Sequence, residues 1–237
     1  MQHRFSRTEK IIGNKGLELL ARSKVAVFGL GGVGSYTVEA LARSGVGSFL
    51  LVDPDVVDIT NINRQLHALS STVGCAKVTL LADRIKEINP EAEVEVRQER
   101  LTRFNSGELL HASLSYVIDA IDDIDNKVHL LKSCVEKNIS VVSAMGTGNK
   151  LDPTALKVMD ISKTSVCPLA RKVRRELKRE NIHAGITVVC SSEPPIKPKP
   201  QDAIEGSNAP GSMAFVPPVA GMILAGVVTN NVISNMP

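Results

Sequence analysis

The first half of the chain carries two cations in settings that suit chemistry on a polyphosphate. Arg64 stands in the polar stretch 55–66 (DVVDITNINRQL), between the amides of Asn61 and Gln65. A guanidinium can hold phosphate oxygens through bidentate hydrogen bonds, although an isolated arginine in a loop is usually just solvated. Lys77 falls in the first turn of a helix predicted over residues 74–89. Because a cation there opposes the helix dipole, we expect an anion nearby.

Four aspartates follow a buried strand that begins at Tyr116, in the run YVIDAIDDIDN. Carboxylates at the end of a parallel strand repel one another unless a cation is present, and Mg²⁺ suits because it takes one or two carboxylates plus substrate phosphates. Asp119 closes the strand in the preferred register, which makes Asp122 the predicted metal ligand, although Asp122 and Asp125 also stand three apart. Asp123 and Asp125 fit the other role, as caps of the following helix.

A glycine-rich turn after a short apolar run supplies the place where a phosphate would lie. Residues 24–28 (KVAVF) predict a buried strand, and helical spacing resumes at residues 33–42. The turn between them contains Gly29, Gly31, Gly32 and Gly34. Bare backbone lets a phosphate approach, and the first N–H groups of the helix favour its charge. Three of these glycines fit the dinucleotide fingerprint, whereas Gly32 is additional to it.

Asp53 ends the second predicted strand, residues 48–53, and lies 24 residues after Gly29. An acidic residue at this place binds ribose hydroxyls in a doubly wound sheet. The match favours an adenosine ligand and leaves NAD and ATP as alternatives. With further strands at 93–97, 139–144 and 156–161, the chain predicts an α/β fold, a Rossmann-like doubly wound and mainly parallel sheet with helices on both faces and a C-terminal extension.

Composition fits one domain of 237 residues, with a nucleotide-binding half at 1–150 and a substrate-binding and dimerisation half at 151–237. The net charge of +3 does not identify a nucleic-acid partner, and the four cysteines form no CxxC pair, which argues against a structural zinc site. The N-terminus has no apolar core, and the apolar stretch 213–228 is interrupted by Pro217 and Pro218. We therefore expect no signal peptide, no transmembrane segment and a cytoplasmic protein.

The second half contains a basic helix. Between residues 157 and 181, eight Lys and Arg residues face three acidic ones, a local balance of +5. Such runs are usually a solvated face, but in a nearly neutral protein we interpret this one as a contact for a polyanion. The candidate tRNA-binding residues are Arg171, Lys172, Arg174, Arg175 and Lys178.

Three of the cysteines and the late loop give further predictions. Cys167 begins the basic helix, where the dipole favours a thiolate, yet we give a covalent role little weight because small buried cysteines are common. Cys134 and Cys190 sit on core-facing patterns and are expected to pack. The segment 191–211 is rich in Pro, Lys, Ser and Gly and is expected to be mobile.

Several motifs resemble a known superfamily. The runs GLGGVGS, LVDPDVVDITNINRQ, GCAKV and DAIDD resemble the adenylating domain of the ubiquitin-activating superfamily. The later runs DISKTSVCPLARKVRREL and GSMAFVPPVAGMILAG are similar to the tRNA threonylcarbamoyladenosine dehydratases within it. The resemblance covers essentially the whole chain, with one departure, since Cys167 stands where many relatives would have Asp.

The resemblance implies an enzyme that uses ATP and Mg²⁺ to adenylate a carboxylate. In the dehydratases this carboxylate belongs to a threonyl group on a modified adenosine of tRNA, and ring closure then expels AMP. The implied roles are phosphate contacts for Gly31 and Gly34, ribose binding for Asp53, binding of the β- and γ-phosphates for Arg64 and Lys77, phosphate orientation for Asn61, and Mg²⁺ binding for Asp122. Arg7 matches an N-terminal arginine that reaches the ATP of a partner subunit, which implies a homodimer. A sulfur-relay protein is a further partner that the family allows, and DNA is not one.

Three other functions remain open at this point. An adenylyltransferase for the C-terminus of a sulfur-carrier protein would share every ATP residue. An NAD-dependent dehydrogenase would need the glycines and Asp53 but gives no reason for Arg64, Lys77 and Asp122 together. A catalytically inactive homologue would not be expected to keep that charged set.

Overall fold

A sheet of seven strands, in the order β3-β2-β1-β4-β5-β7-β6, forms the centre of the protein. The computed structural model describes residues 2–197 and 210–234. The strands are β1 (Lys24–Phe28), β2 (Ser48–Val52), β3 (Glu93–Arg97), β4 (Tyr116–Asp119), β5 (Val141–Ala144), β6 (Leu156–Asp160) and β7 (Thr187–Ser191). Only β6 runs antiparallel to its neighbour. The predicted mainly parallel, doubly wound sheet is confirmed.

Helices cover both faces of the sheet, as expected for a mainly parallel sheet whose central strands are apolar. They are α1 (Ser6–Arg22), α2 (Gly34–Ser44), α3 (Lys77–Ile88), α4 (Ser106–Leu109), α5 (Ile124–Glu136), α6 (Pro168–Arg179) and α7 (Val216–Ser234). One core joins the sheet to α1, α2, α3 and α7. Two further clusters on the other face join it to α4, α5 and α6.

One predicted helix boundary needs correction, and one helix is interrupted. The N-terminal helix is interrupted at Gly13, whose φ of 70° is left-handed. The helix predicted from residue 74 begins at Lys77, because Gly74 turns with φ of 86° and Ala76 pairs with Val56 in an isolated β-bridge. Lys77 is thus the first residue of α3, at its positive end.

The last helix runs through the prolines that were expected to break it. Pro217 and Pro218 occupy the first turn of α7, where no backbone N–H is needed. The helix is long and apolar enough to cross a membrane, with a mean hydropathy of 1.5, and 44% of that window is buried inside the protein. The Gly221 carbonyl accepts a hydrogen bond from the Thr37 hydroxyl at 3.1 Å, which ties α7 to α2.

Candidate active site

A cavity of about 1020 Å³ opens where the strand order reverses, at the carboxyl ends of β1 and β4. This is the place where doubly wound sheets bind ligands. The sequence-predicted residues that line it are Gly29, Gly31, Gly32, Asp53, Asn61, Arg64, Gln65, Lys77 and Asp122. Gly34, Arg7 and the basic residues of α6 do not line it.

Close backbone packing explains why the turn is built from glycine. A Cβ on Gly29, whose φ is +86°, would lie 2.6 Å from the Ala120 carbonyl oxygen, and one on Gly34 would lie 1.9 Å from the Gly29 oxygen. Gly32 instead leaves room for Arg64 and α7, since its Cβ would lie 3.2 Å from Arg64 Cγ and 3.0 Å from a proline Cβ. A Cβ on Gly31 would meet only the Gln65 Nε2 atom, at an ordinary contact distance of 3.7 Å. The turn therefore leaves bare backbone towards the cavity at Gly31.

Asp53 fastens this turn to the end of β2. Its Oδ2 accepts the Leu30 N–H at 2.6 Å, and its Oδ1 accepts the Asp55 N–H at 2.9 Å. Burial raises the pKa of Asp53, and the Lys77 ammonium and these two N–H groups oppose the rise. Both oxygens keep lone pairs towards the cavity, so the carboxylate can hold the turn and still accept from a hydroxyl.

Lys77 is buried and points its ammonium at two carboxylates. Nζ lies 2.8 Å from Asp55 Oδ2 and 3.9 Å from Asp53 Oδ1. Asp55, which sequence reasoning did not assign, is the anion expected beside this lysine. The Asp55 side chain is 55% exposed, so its oxygens can rehydrate if Lys77 turns to another anion.

Asn61 ends the 3₁₀ turn Ile59–Asn61 that follows β2, and Arg64 lies in the turn directly after it. The Arg64 guanidinium donates from Nη1 to the Thr60 carbonyl and to Asn63 Oδ1, each at 2.9 Å. Its Nε and Nη2 have no partner among the described residues. Asn61 accepts the Asp58 N–H at 3.2 Å, which leaves its amide N–H groups available.

Two buried polar side chains near these cations lack partners. The Gln65 Oε1 atom and both ring nitrogens of His67 make no hydrogen bond with any described residue, although both residues are more than nine-tenths buried. Burial and then the Lys77 ammonium lower the pKa of His67 from 6.5 to about 4. Since buried polar atoms are almost always bonded, and Gln65 lines the cavity, its oxygen marks a place for a ligand donor.

The four aspartates after β4 divide by role. Asp119 is fully buried against Lys127 at 2.6 Å and the Ser143 hydroxyl at 2.5 Å. Asp123 caps α5 by accepting the Asn126 N–H at 2.9 Å, as one alternative expected. Asp125 lies in the first turn of α5, outside the cavity lining. Asp122 lines the cavity, and its carboxylate has no partner among the described residues.

A metal here would need ligands from outside the chain. The described residues contain no group of three His, Cys, Asp or Glu side chains arranged to hold a metal ion. One free carboxylate at the edge of a cavity is instead the arrangement suited to Mg²⁺, which keeps water and substrate phosphates as its other ligands. The donor set fits that ion.

Cys167 is the N-cap of α6 and lines the same cavity. The neighbouring Cys190 thiol and the backbone N–H groups of Ala170, Gly146 and Leu169 lower the pKa of Cys167 against the effect of burial. Cys134 and Cys190 are buried in the core, as predicted, and burial raises the pKa of Cys134 to about 12.

The basic face of α6 lies outside the cavity and is only partly free. Arg174 donates to the Thr164 carbonyl at 2.5 Å and to its hydroxyl, so its guanidinium faces inward rather than towards solvent. Arg175 pairs with Glu176 at 2.9 Å. The exposed cations of the face with no partner among the described residues are Arg171, Lys172 and Lys178. Residues 198–209, most of the loop expected to be mobile, lie outside the described residues.

The N-terminal arginines differ in their environment. Arg4 donates to the Ile88 carbonyl at the end of α3 at 2.7 Å, which gives it a local structural role. Arg7 is exposed on α1. It does not reach the cavity of its own chain.

Comparison with known proteins identifies a matching family, similar curated proteins and a similar solved structure. A model described as the ThiF family matches residues 5–235. The tRNA threonylcarbamoyladenosine dehydratase of Bacillus subtilis is 48% identical over 246 residues, which cover 100% of this chain and 97% of that protein. The Escherichia coli enzyme of the same name is 44% identical over 179 residues, 76% of this chain and 67% of that protein. A crystal structure of E. coli tRNA N6-threonylcarbamoyladenosine dehydratase in complex with ATP superposes with a TM-score of 0.90 at 36% identity, over 98% of this chain and 94% of that one.

Proposed function

The chain belongs to the ThiF family, and from that premise we propose that it is an ATP-dependent dehydratase acting on threonylcarbamoyladenosine in tRNA. The observation that supports ATP as the ligand is the cavity itself. Its lining brings together the backbone at Gly31, the cations of Arg64 and Lys77, and the free Asp122 carboxylate. The substrate is argued from the similarity to the Bacillus subtilis dehydratase over the whole chain.

The reaction has two steps, and the site residues serve the first. A carboxylate is a poor electrophile, so one of its oxygens attacks the α-phosphorus of ATP, a new O–P bond forms, and pyrophosphate leaves with the electrons of the broken bond. Arg64 and Lys77 would neutralise the charge that grows on the departing pyrophosphate. Asp53 would hold the ribose and Asn61 would orient phosphates. Asp122 would hold Mg²⁺, which when bound adds further charge neutralisation on the phosphates.

Ring closure is the second step. The neighbouring ureido group attacks the activated carbonyl, the carbonyl–oxygen bond to AMP breaks, and a proton leaves the ureido nitrogen. The modified base has then lost one molecule of water overall. This step transfers the acyl group to no side chain, so Cys167 has no necessary covalent role in it.

Mass spectrometry of nucleosides tests this function directly. Modified tRNA is incubated with the protein and ATP, and the threonylcarbamoyladenosine peak is expected to shift by the loss of one water. Omission of ATP is the control. Arg64→Ala and Asp122→Ala should abolish the shift while circular dichroism stays unchanged, and unaltered turnover in both variants would remove the proposed site.

An adenylyltransferase for a sulfur-carrier protein is the alternative. It would share the ATP residues, so the distinguishing observation has to concern the acceptor. ATP–pyrophosphate exchange that depends on a carrier protein and not on modified tRNA would establish it in place of the dehydratase. The cytoplasm, where tRNA is available, stays the expected compartment.

We propose that the site is completed by a second copy of the chain. Arg7 does not reach its own cavity, and the segment after β2 exposes apolar side chains on Ile59, Leu69 and Val73. Burying such side chains between two copies would bring one Arg7 to the other ATP. Mixing the inactive variants Arg7→Ala and Lys77→Ala should then restore about a quarter of the activity, because half of the dimers are mixed and each has one intact site. No recovery in a mixture shown to exchange subunits would contradict this.

For tRNA, we propose that the exposed cations of α6 contact the backbone phosphates. Changing Arg171, Lys172 and Lys178 together to Ala should weaken tRNA binding. The slope of log K for tRNA against the logarithm of the salt concentration should become shallower by up to about 0.9 per lost phosphate contact. ATP binding should not change. The matched control removes three exposed cations from α1 and α3, namely Lys10, Arg22 and Lys86. If the two triple variants have equal effects, the basic face of α6 is only a solvated surface and does not bind tRNA.

A further inference from the structure

The cavity extends beyond the nucleotide loops into a second region that we call the far lobe. It is lined by the segment after β5, residues 144–150, by residues 167–169 at the start of α6, and by Pro195, Pro210 and Ser212. None of these described residues carries a carboxylate, although Asp53, Asp55 and Asp122 line the nucleotide region. The far lobe thus differs from the rest of the cavity in charge.

Lys150 brings a buried cation to this lobe. The residue is 2% exposed, and its Nζ donates to the Glu193 carbonyl oxygen at 2.5 Å. No carboxylate of the described residues pairs with it. The Glu193 carboxylate is engaged elsewhere, since it accepts the N–H groups of Leu151 and Asp152 at 2.9 and 3.0 Å. Two of the three ammonium N–H bonds therefore remain to be used.

The other buried lysines show how unusual this is. Among the described residues, the buried lysines are Lys77, Lys127 and Lys150. Lys77 lies 2.8 Å from Asp55, and Lys127 lies 2.6 Å from Asp119. A buried charge without a counter-ion costs several kcal/mol, so one that persists is best explained by an anion that arrives with a ligand.

The start of α6 adds to the same positive field. This helix of 12 residues begins at Pro168, and the positive end of its dipole faces the lobe. Cys167, the N-cap of this helix, lines the lobe as well.

We propose that Lys150 binds the carboxylate of the substrate, the threonyl carboxylate of the modified adenosine, as it enters the cavity. This inference rests on the proposed function, which requires a carboxylate to reach the α-phosphate in a site that excludes water. One carboxylate oxygen bonded to the ammonium leaves the other free to attack phosphorus. After adenylation the ammonium stays beside the carbonyl oxygen, where negative charge grows as the ureido nitrogen attacks.

The test compares a charged and an uncharged form of the same ligand. Calorimetry measures the binding of threonylcarbamoyladenosine and of its methyl ester to the full-length protein. The wild type should prefer the free acid by about 10- to 100-fold, the usual range for a charge-assisted hydrogen bond. Lys150→Met should abolish the preference, and Lys150→Arg should retain part of it.

Two further variants separate charge from folding. Lys150→Gln keeps a donor for the Glu193 carbonyl and removes the charge, so it should behave like Lys150→Met. Lys86→Met is the matched control, because Lys86 also donates to a backbone carbonyl, that of Pro90 at 3.3 Å, but is exposed. It should bind both ligands as the wild type does.

Steady-state kinetics on tRNA gives an independent measurement. Lys150→Gln should raise the KM for modified tRNA about 10-fold or more and leave the affinity for ATP unchanged. If both uncharged variants keep the preference for the acid and the KM for tRNA, the assignment of Lys150 is overturned. If the wild type neither binds the nucleoside nor dehydrates tRNA, the proposed function itself fails.

Discussion

The buried ion pair beneath the loop that carries Asp122 allows a quantitative prediction. Lys127 and Asp119 are both fully buried, with Nζ and Oδ2 2.6 Å apart. Lys127 also donates to the Ser143 hydroxyl at 3.3 Å and the Ala144 carbonyl at 3.0 Å. The pair thus joins the ends of β4 and β5 to α5, directly below the loop that carries Asp122. Lys127→Met removes the cation and keeps a side chain of similar length.

The cost follows from what the substitution leaves behind. Breaking a buried ion pair costs about 3–5 kcal/mol, because the remaining charge is buried without a counter-ion. Asp119 would keep the Ile121 N–H at 3.1 Å and the Ser143 hydroxyl at 2.5 Å. We therefore expect the lower end, about 3 kcal/mol of the free energy of unfolding, which lowers Tm by about 6–12 °C in a chain of this size.

Urea unfolding followed by far-UV circular dichroism measures this loss, since the chain has no tryptophan. An exposed pair with the same separation is the control. Lys132 Nζ lies 2.6 Å from Glu180 Oε2, with the two side chains 34% and 44% exposed. Lys132→Met should cost much less stability than Lys127→Met, because water already screens this pair.

A double variant tests whether the loss is electrostatic. Asp119→Asn with Lys127→Met removes both charges and should recover at least about 2 kcal/mol relative to additivity. Two results would refute the reasoning, namely a loss for Lys127→Met no larger than for Lys132→Met, or a double variant whose cost equals the sum of the single ones.

Three shorter predictions concern other parts of the structure. Burial and the nearby Lys77 lower the pKa of His67 from 6.5 to about 4, so the unfolded chain binds more protons than the folded chain between these pH values. About 2–3 kcal/mol of the free energy of unfolding that is present above pH 6.5 should therefore be lost as the pH falls towards 4. Urea unfolding midpoints measured against pH should show this loss, and His67→Gln should make the pH dependence flatter. Gly221→Ala would place a Cβ 2.4 Å from the Val33 carbonyl oxygen and should lower the free energy of unfolding in urea by more than about 2 kcal/mol. In the control Gly226→Ala, the added Cβ would meet nothing within 4 Å, so this variant should be neutral or stabilising. Cys167→Ser should keep tRNA dehydration within a few-fold of the wild type, and a loss above about 100-fold, the size expected for a missing nucleophile, would instead favour a covalent role.

The sheet and the nucleotide loops could be predicted because their signals are local. Strands β1, β2 and β4 are short apolar runs, and the turns that follow them at the carboxyl edge contain glycine or acidic residues. In contrast, β7 was not among the predicted strands. The register of the aspartates was harder, since Asp122 and Asp125 have the same spacing from other carboxylates. The structure separates them because α5 begins at Ile124, which carries Asp125 away from the cavity.

The partners of these residues could not be predicted, because they depend on contacts distant in sequence. Arg174 looked like its neighbours on a basic helix, yet its guanidinium is satisfied by Thr164 ten residues earlier. Lys150 stands in a polar loop, where a lysine is normally solvated. Its burial depends on the chain returning past it at Glu193 and Pro195, about 45 residues later.

The buried lysines suggest how charge balance separates structural from functional cations in this fold. Lys127 is neutralised by a carboxylate with no exposure, so its pair is permanent and serves the sheet. Lys77 is paired with Asp55, whose side chain is 55% exposed, so that pair can open when phosphate enters. Lys150 has no carboxylate partner among the described residues at all. Since a buried cation is costly in proportion to how poorly it is balanced, this order, from Lys127 through Lys77 to Lys150, is also the order of increasing dependence on ligands. The chain thus partly neutralises the lysine of the nucleotide region with its own carboxylates, whereas the lysine of the far lobe is the one for which we propose a carboxylate ligand.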